Sequence, residues 1–293
     1  MSEAPMNFGG LPPAQSDRAK AKFLVLPVPF EESVSYGGGT AGGPAAVIDA
    51  SRQVELWDEE LLRETCEAGI HTLPEFKPAR MKGERYLKAL AEHAAELMKE
   101  GKVLVSLGGE HSITPALVEA ARTKHPKLSV FQIDAHADLR DEYEGKKWSH
   151  ACAMKRVVDL GCKLAQAGIR NFSKSEVPFV DRGLVATAPA HLTRTAADQR
   201  KAVERFLEHL TDDVYITVDI DGLDPSLVPG TGTPEPGGLS WYETLDFLRP
   251  IFAQKNVVGF DIVEVAPIEG LNVSQFVAAK LAYRMMGYRM LGG

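Results

Sequence analysis

Three apolar runs in this chain end in residues that an ordinary buried strand does not tolerate. Leu128-Ser129-Val130-Phe131-Gln132-Ile133 leads straight into Asp134-Ala135-His136-Ala137-Asp138. Val214-Tyr215-Ile216-Thr217-Val218 leads into Asp219-Ile220-Asp221, and Val103-Leu104-Val105-Ser106-Leu107 into Gly108-Gly109-Glu110-His111. Runs this continuous predict strands covered on both faces, as in parallel sheets. Uncompensated charge at the end of such a strand costs several kcal/mol, so something must balance these carboxylates.

Side chains alternate along an extended segment, which turns Asp134, His136 and Asp138 the same way, and likewise Asp219 and Asp221. In open α/β sheets, ligand sites lie at the carboxyl ends of the strands, where all three motifs fall. Four aspartates and two histidines exceed the three protein ligands usual for a catalytic zinc. They suit a pair of metal ions bridged by carboxylates. Each motif alone has a plainer explanation: Asp-x-Asp caps helices and turns, and a Gly-Gly pair marks turns of every kind. On three strands of the same class those explanations would have to hold independently, so the joint metal reading is preferred.

The rest of the chain alternates strand and helix patterns with no linker rich in Pro or Gly in its middle and no internal repeat. Alternation predicts a three-layer α/β/α fold around a mostly parallel sheet. At 293 residues one large domain, residues 21–293, is long enough, preceded by a loose leader over residues 1–20. Helices are expected over 84–100, with Leu87, Leu90, Ala94, Leu97 and Met98 inward, and from a capping box at Ser240 and Glu243 to Gln254. Further helices are expected over 151–160 and 272–290, the last burying Phe276, Val277, Leu281 and Met285. The leader carries neither an apolar signal core nor a basic amphipathic pattern, and no stretch is apolar enough to cross a membrane. Three cysteines, Cys66, Cys152 and Cys162, without metal-type spacing imply a reduced, cytoplasmic setting. A net charge of −7 argues against a nucleic-acid partner and favours a cationic substrate.

Gly108-Gly109-Glu110-His111-Ser112, the Asp134–His136–Asp138 run, and Asp219-Ile220-Asp221-Gly222-Leu223-Asp224-Pro225 with Pro229-Gly230 and Gly238 resemble the three signatures of the ureohydrolase family, the arginases and agmatinases. The resemblance extends from the Gly-rich segment at Tyr36 to Glu264-Val265-Ala266-Pro267. Thr217 stands where the family usually has Ser, and Ala151 where many members have Gly. It implies a single catalytic domain and a two-manganese hydrolase. His111, Asp134, Asp138 and Asp219 would hold one Mn²⁺, and Asp134, His136, Asp219 and Asp221 the other. Carboxylates with two imidazoles suit manganese; Zn²⁺, Co²⁺ or Fe²⁺ fit the same donors. The implied reaction is hydroxide attack on a guanidino carbon, releasing urea and an amine.

His150, Glu264 and Asp138 are the implied catalytic residues. His150 matches a proton-shuttling histidine, although on the residues alone it reads first as a helix cap. Glu264, ending the run Val257–Val263, matches a glutamate that orients the guanidinium; the alternative is an internal partner for an Arg. Asp261 on the same run has a structural role. Cys152 beside His150 suggests a Cys–His nucleophile, which is rejected because the carboxylate site already supplies hydroxide. The loop Leu139–Trp148 and the segment Ala266–Gly270 are similar to the agmatinase type, making agmatine, cleaved to putrescine, the first substrate. Arginine, guanidinobutyrate, guanidinopropionate and guanidine stay open. The rivals are a non-catalytic relative binding metal or a polyamine, and a one-zinc deacetylase of the same broad fold. A homo-trimer or homo-hexamer is the assembly the resemblance implies.

Overall fold

The apolar runs do form one sheet. In the computed structural model, which describes residues 6–292, β1 (Phe23–Val28), β4 (Ile70–Thr72), β5 (Val103–Gly108), β6 (Ser129–Ile133), β7 (Leu164–Ile169), β8 (Val185–Pro189), β9 (Asp213–Asp219) and β10 (Asn256–Val263) lie in the order β4-β1-β5-β10-β9-β6-β7-β8. Every neighbouring pair is parallel. A short antiparallel hairpin, β2 (Trp57–Asp58) with β3 (Arg63–Glu64), stands apart.

The strands are apolar on both faces because both faces are covered. In β1, Phe23 and Val25 join one core cluster, while Leu24, Leu26 and Val28 join the other. The first cluster packs under α2 (Gly43–Ser51), α6 (Ala196–His209), α7 (Trp241–Gln254) and α8 (Val273–Leu291). The second packs under α3 (Gly83–Met98), α4 (Thr114–Arg122) and α5 (Ala153–Asp159). The result is the expected three-layer α/β/α fold, with an all-parallel sheet. A further short helix, α1 (Pro13–Ser16), lies near the amino terminus.

The helices follow their sequence signals closely. α3 buries the five expected residues and is followed by Gly101 at φ +74°. α7 opens on the capping box: Ser240 Oγ accepts from Glu243 N at 3.3 Å and Ser240 N donates to Glu243 Oε2 at 2.8 Å. The helix expected at 151–160 is preceded by a 3₁₀ turn, His150–Cys152.

Two expectations need correction. Phe276 is 40% exposed, while Val277, Leu281 and Met285 are buried. Phe276 lies about 100° round the helix from Val277, and the buried surface of α8 is not one stripe, since Ala278, Ala279 and Ala282 are also inside. The leader is not loose where it is described. Phe8 and Leu11 sit in the first core cluster, Phe8 N donates to Thr72 Oγ1 and Gly9 N to Ser51 Oγ, each at 2.8 Å. Two large apolar side chains tie down a segment whose composition reads as a linker; residues 1–5 lie outside the described residues.

The chain builds β6, β7 and β8 outward and then returns to insert β9 and β10 between β6 and β5. Such a reversal opens a crevice at the carboxyl ends of the central strands. The three strand-end motifs and Glu264 therefore sit at the ends of the four adjacent strands β5, β10, β9 and β6, while His150 comes from the 3₁₀ turn before α5.

Candidate metal centre

Close backbone approach assembles the centre. A Cβ on Gly109 would lie 2.0 Å from the Phe30 carbonyl oxygen, so only glycine fits there. The Gly109 carbonyl accepts from Glu264 N at 2.8 Å, which sets the end of β10 beside the turn carrying His111. After β6, Ala135 and Ala137 bury their methyls while Asp134, His136 and Asp138 face the crevice. Asp138 is delivered by a turn at φ +53°, and Glu264 stands at φ +64°. Non-glycine residues in that region store about 1–3 kcal/mol each, and such strain gathers at functional sites.

His111 Nδ1 lies 3.1 Å from Asp134 Oδ2, 3.0 Å from Asp138 Oδ2 and 3.5 Å from Asp219 Oδ2. His136 Nδ1 lies 3.0 Å from Asp221 Oδ2 and 3.6 Å from Asp134 Oδ1. Candidate ligand atoms thus fall into two groups, His111–Asp134–Asp219 and Asp134–His136–Asp221, each within 4.8 Å of one another. Asp134 belongs to both and turns one oxygen toward each histidine. Asp219 does double duty: Oδ1 caps the turn by accepting from Asp221 N at 2.9 Å, while Oδ2 faces His111. All six residues singled out as ligands come together.

The donors fit a cation. His111 Nδ1 is buried and makes no aligned hydrogen bond, although three carboxylates surround it. Backbone and Gln132 N–H groups hold Asp134, Asp219 and Asp221 in place, while oxygens of Asp134, Asp138 and Asp219 still crowd around His111 Nδ1. Among the described residues, no Lys or Arg forms an ion pair with Asp134, Asp138, Asp219 or Asp221. Burial, and then the charge of Asp134, push Asp138 up to about 7. Burial and the charges of Asp221 and Asp134 hold Asp219 well above the usual carboxylate range. Burial works to lower His136, but Asp221 and Asp134 outweigh it and raise the ring to about 12. The centre carries more negative charge than two imidazoles can balance, and a bound cation would reverse these shifts.

Supporting groups fix the orientation of His111 and His150. His111 Nε2 lies 2.9 Å from Thr217 Oγ1, and Thr217 donates to Asp261 Oδ1 at 2.6 Å. Asp261, fully buried, also accepts from Tyr215 OH at 2.9 Å and Thr114 Oγ1 at 3.0 Å. Since Thr217 gives its proton to Asp261, its oxygen accepts from His111 Nε2–H, leaving Nδ1 as a lone pair. His150 follows the same logic. Ser33 Oγ donates to Glu110 Oε1 at 2.8 Å, accepts from His150 N at 3.0 Å, and lies 3.1 Å from His150 Nδ1. That places a proton on Nδ1 and leaves the Nε2 lone pair facing the crevice, 3.5 Å from Ser35 Oγ. His150 thus makes no helix cap. Burial, reinforced by nearby His111 and His136, holds it below its usual value against the pull of Glu110. Glu264 Oε1 accepts from His111 N at 2.7 Å and, among the described residues, forms no ion pair with an Arg. Cys152 is buried with its thiol pushed up to about 11 by burial and the charge of Asp138, which keeps it protonated.

This arrangement has known counterparts. A model of the arginase family matches residues 21–287. The chain belongs to the arginase family. It is 40% identical over 278 residues to an N(1)-aminopropylagmatine ureohydrolase of Synechocystis sp., covering 92% of this chain and 90% of that protein. Identity to an agmatinase of Pyrococcus horikoshii is 32% over 278 residues, covering 92% and 93%. An agmatine ureohydrolase structure from Thermoplasma volcanium superposes with a TM-score of 0.86 at 28% identity, covering 98% of this chain and 95% of that one. As an arginase-family member the chain is a hydrolase of the ureohydrolase kind, with the fold its motifs implied.

Sequence reasoning missed how this arginase-family centre is braced. Thr217 keeps the hydroxyl usual at its position, and that hydroxyl is the link between Asp261 and His111. Asp261 reads as structural, and it is a buried acceptor for the hydroxyls of Thr217, Tyr215 and Thr114, reaching His111 through the first of them. Glu110 sits inside a quoted motif without a role, although it organises Ser33 and, through it, His150. Among the described residues, no helix is long and apolar enough to cross a membrane.

Proposed function

We propose that this chain is a binuclear-manganese amidinohydrolase that cleaves a terminal guanidino group to urea and an amine. The observation that carries it is Asp134, shared between two groups of metal-type donors at adjacent strand ends. His111, Asp134, Asp138 and Asp219 would hold one ion, and Asp134, His136, Asp219 and Asp221 the other. Bound there, two divalent cations would supply a hydroxide nucleophile at neutral pH, which a resonance-stabilised guanidinium requires. Glu264, lining the same cleft, accepts the planar guanidinium edge and orients its carbon. His150 turns its Nε2 lone pair toward the cleft, where it takes up a proton from solvent and passes that proton to the departing amine. Asp138 both ligates and, through its second oxygen, steadies the substrate.

Agmatine is the substrate that the sequence favours; the relatives add its aminopropyl derivative. The proposed class is therefore an aminoalkylguanidine, with putrescine the amine from agmatine. A trimer or hexamer and a cytoplasmic setting complete the proposal. The test is urea release by the manganese-loaded protein from agmatine, N(1)-aminopropylagmatine, arginine, guanidinobutyrate, guanidinopropionate and guanidine, with bound metal counted by mass spectrometry. Urea from the first two above the rest is expected. Two metals bound and no urea from any compound would overturn it.

A further inference from the structure

Beyond the metal centre the cleft continues into an outer chamber, and the two share His136, Asp138 and His150 in their walls. Three charged side chains belong to the outer part alone: Arg140, Glu176 and Glu235. The first two satisfy each other. Arg140 Nε lies 3.5 Å from Glu176 Oε2, and its guanidinium sits 4.7 Å from the centre of the Tyr143 ring. Glu176 is buried and accepts from Leu139 N at 2.9 Å and Ser173 N at 2.6 Å. Glu235 is different. Its side chain is one-third exposed (33%), Oε1 accepts from Asn171 Nδ2 at 2.5 Å, and no Lys or Arg among the described residues forms an ion pair with it. The nearby Arg170 gives its N–H groups to the backbone carbonyls of Gly168, Asp221, Gly222 and Glu235 itself. A carboxylate is thus held toward the chamber by Asn171, with His136 at 4.0 Å and no Lys or Arg among the described residues to balance its charge.

We propose that Glu235 is a specificity-determining residue: it receives the ammonium of an aminoalkylguanidine's tail while the guanidino group occupies the metal centre. This rests on the amidinohydrolase reading above. A cationic tail meets an opposite charge there, whereas the carboxylate tail of a guanidino acid meets a like one, so one residue both attracts and rejects. The rival role is orientation of His136, whose Nε2 lies 4.0 Å from Glu235 Oε1. The two roles separate cleanly. Orientation acts on every substrate and on metal binding alike, while recognition acts according to the charge of the tail.

The experiment compares native protein with Glu235→Gln, both manganese-loaded. It measures metal content, kcat/KM for agmatine, N(1)-aminopropylagmatine and guanidinobutyrate, and the Kd of each compound by calorimetry. Expected for the variant are two metals per chain, a loss of about two- to fivefold for the two amines, as for a partly solvated ion pair, and an equal or higher value for guanidinobutyrate. A uniform loss with weakened metal binding would overturn the proposal in favour of His136 orientation. Unchanged selectivity would overturn it outright. Calorimetry separates it from the parent reading: native protein that prefers agmatine over guanidinobutyrate, loses that preference in Glu235→Gln, and yet releases no urea would keep the recognition and sink the reaction.

Discussion

Two clusters of buried charge lie in this protein, and they close in opposite ways. Where α8 meets the β2–β3 hairpin, Arg284 is 1% exposed and reaches three carboxylates, Asp58 at 2.5 Å, Glu59 at 2.7 Å and Glu60 at 2.6 Å. Arg249 and the Tyr288 hydroxyl add contacts to Glu60 at 2.6 and 2.9 Å, and Asp58 Oδ1 accepts from Glu60 N and Leu61 N. Opposite charge comes from the protein itself. At the carboxyl end of the sheet, equally buried aspartates find only two imidazoles and, among the described residues, no Lys or Arg. The first pattern is a brace. The second is a vessel for cations. What separates them is the source of the balancing charge, not the number of acids.

The largest expected effect tests the second cluster. Asp134→Ala removes the carboxylate common to both donor groups, so urea release should fall to background and bound manganese below two per chain by mass spectrometry. Native metal content in that variant would show that Asp134 merely serves local hydrogen bonds. The matching change in the first cluster is Arg284→Met, which leaves Asp58 buried without its cation. Chemical unfolding should show a loss of about 3–5 kcal/mol, while the protein that remains folded binds metal as before. A loss below about 1 kcal/mol, the size of an exposed pair, would mean that water, and not Arg284, balances that cluster.

His150→Asn asks whether the edge of the centre belongs to chemistry or to metal holding. Both metals should stay bound, and turnover should slow by roughly 10²–10⁴, the usual cost of losing general acid–base help. Normal turnover would remove the proton-transfer role, and loss of metal would make His150 a ligand.

Much of this was legible before any coordinates. The strand runs, the strand-end motifs, the capping box and the stop at Gly101 are local signals, and the fold honours each. Convergence of Asp134, His136, Asp138, Asp219, Asp221 and His111 followed from one rule, that sites lie at carboxyl ends of parallel strands. What stayed hidden depends on which strands are neighbours. Glu235 and Asn171 are 64 residues apart and touch only because the loops after β7 and β9 share a wall. Arg284 and Asp58 meet across most of the chain. Phe8 and Leu11 were lost for another reason, since two buried residues leave no periodicity in a segment full of Pro and Gly.

Asp261→Asn gives the smallest effect and the finest test, because Asp261 resembles a brace but serves the vessel. It takes hydroxyl protons from Thr217, Tyr215 and Thr114. An amide cannot accept all three, and its NH₂ would meet a hydroxyl oxygen instead. Thr217 is then free to turn its proton toward His111 Nε2, which places the ring proton on Nδ1, the atom that faces the carboxylates. Metal affinity should fall about 10- to 100-fold, the usual cost of losing a partner that orients a ligand, with the fold intact. Thr217→Val should follow in the same direction, whereas Thr217→Ser keeps the hydroxyl and should leave the affinity unchanged. Calorimetric metal titration of the three variants decides the matter. Native affinity in Asp261→Asn would class Asp261 with Asp58, as an acid that holds the fold and nothing more.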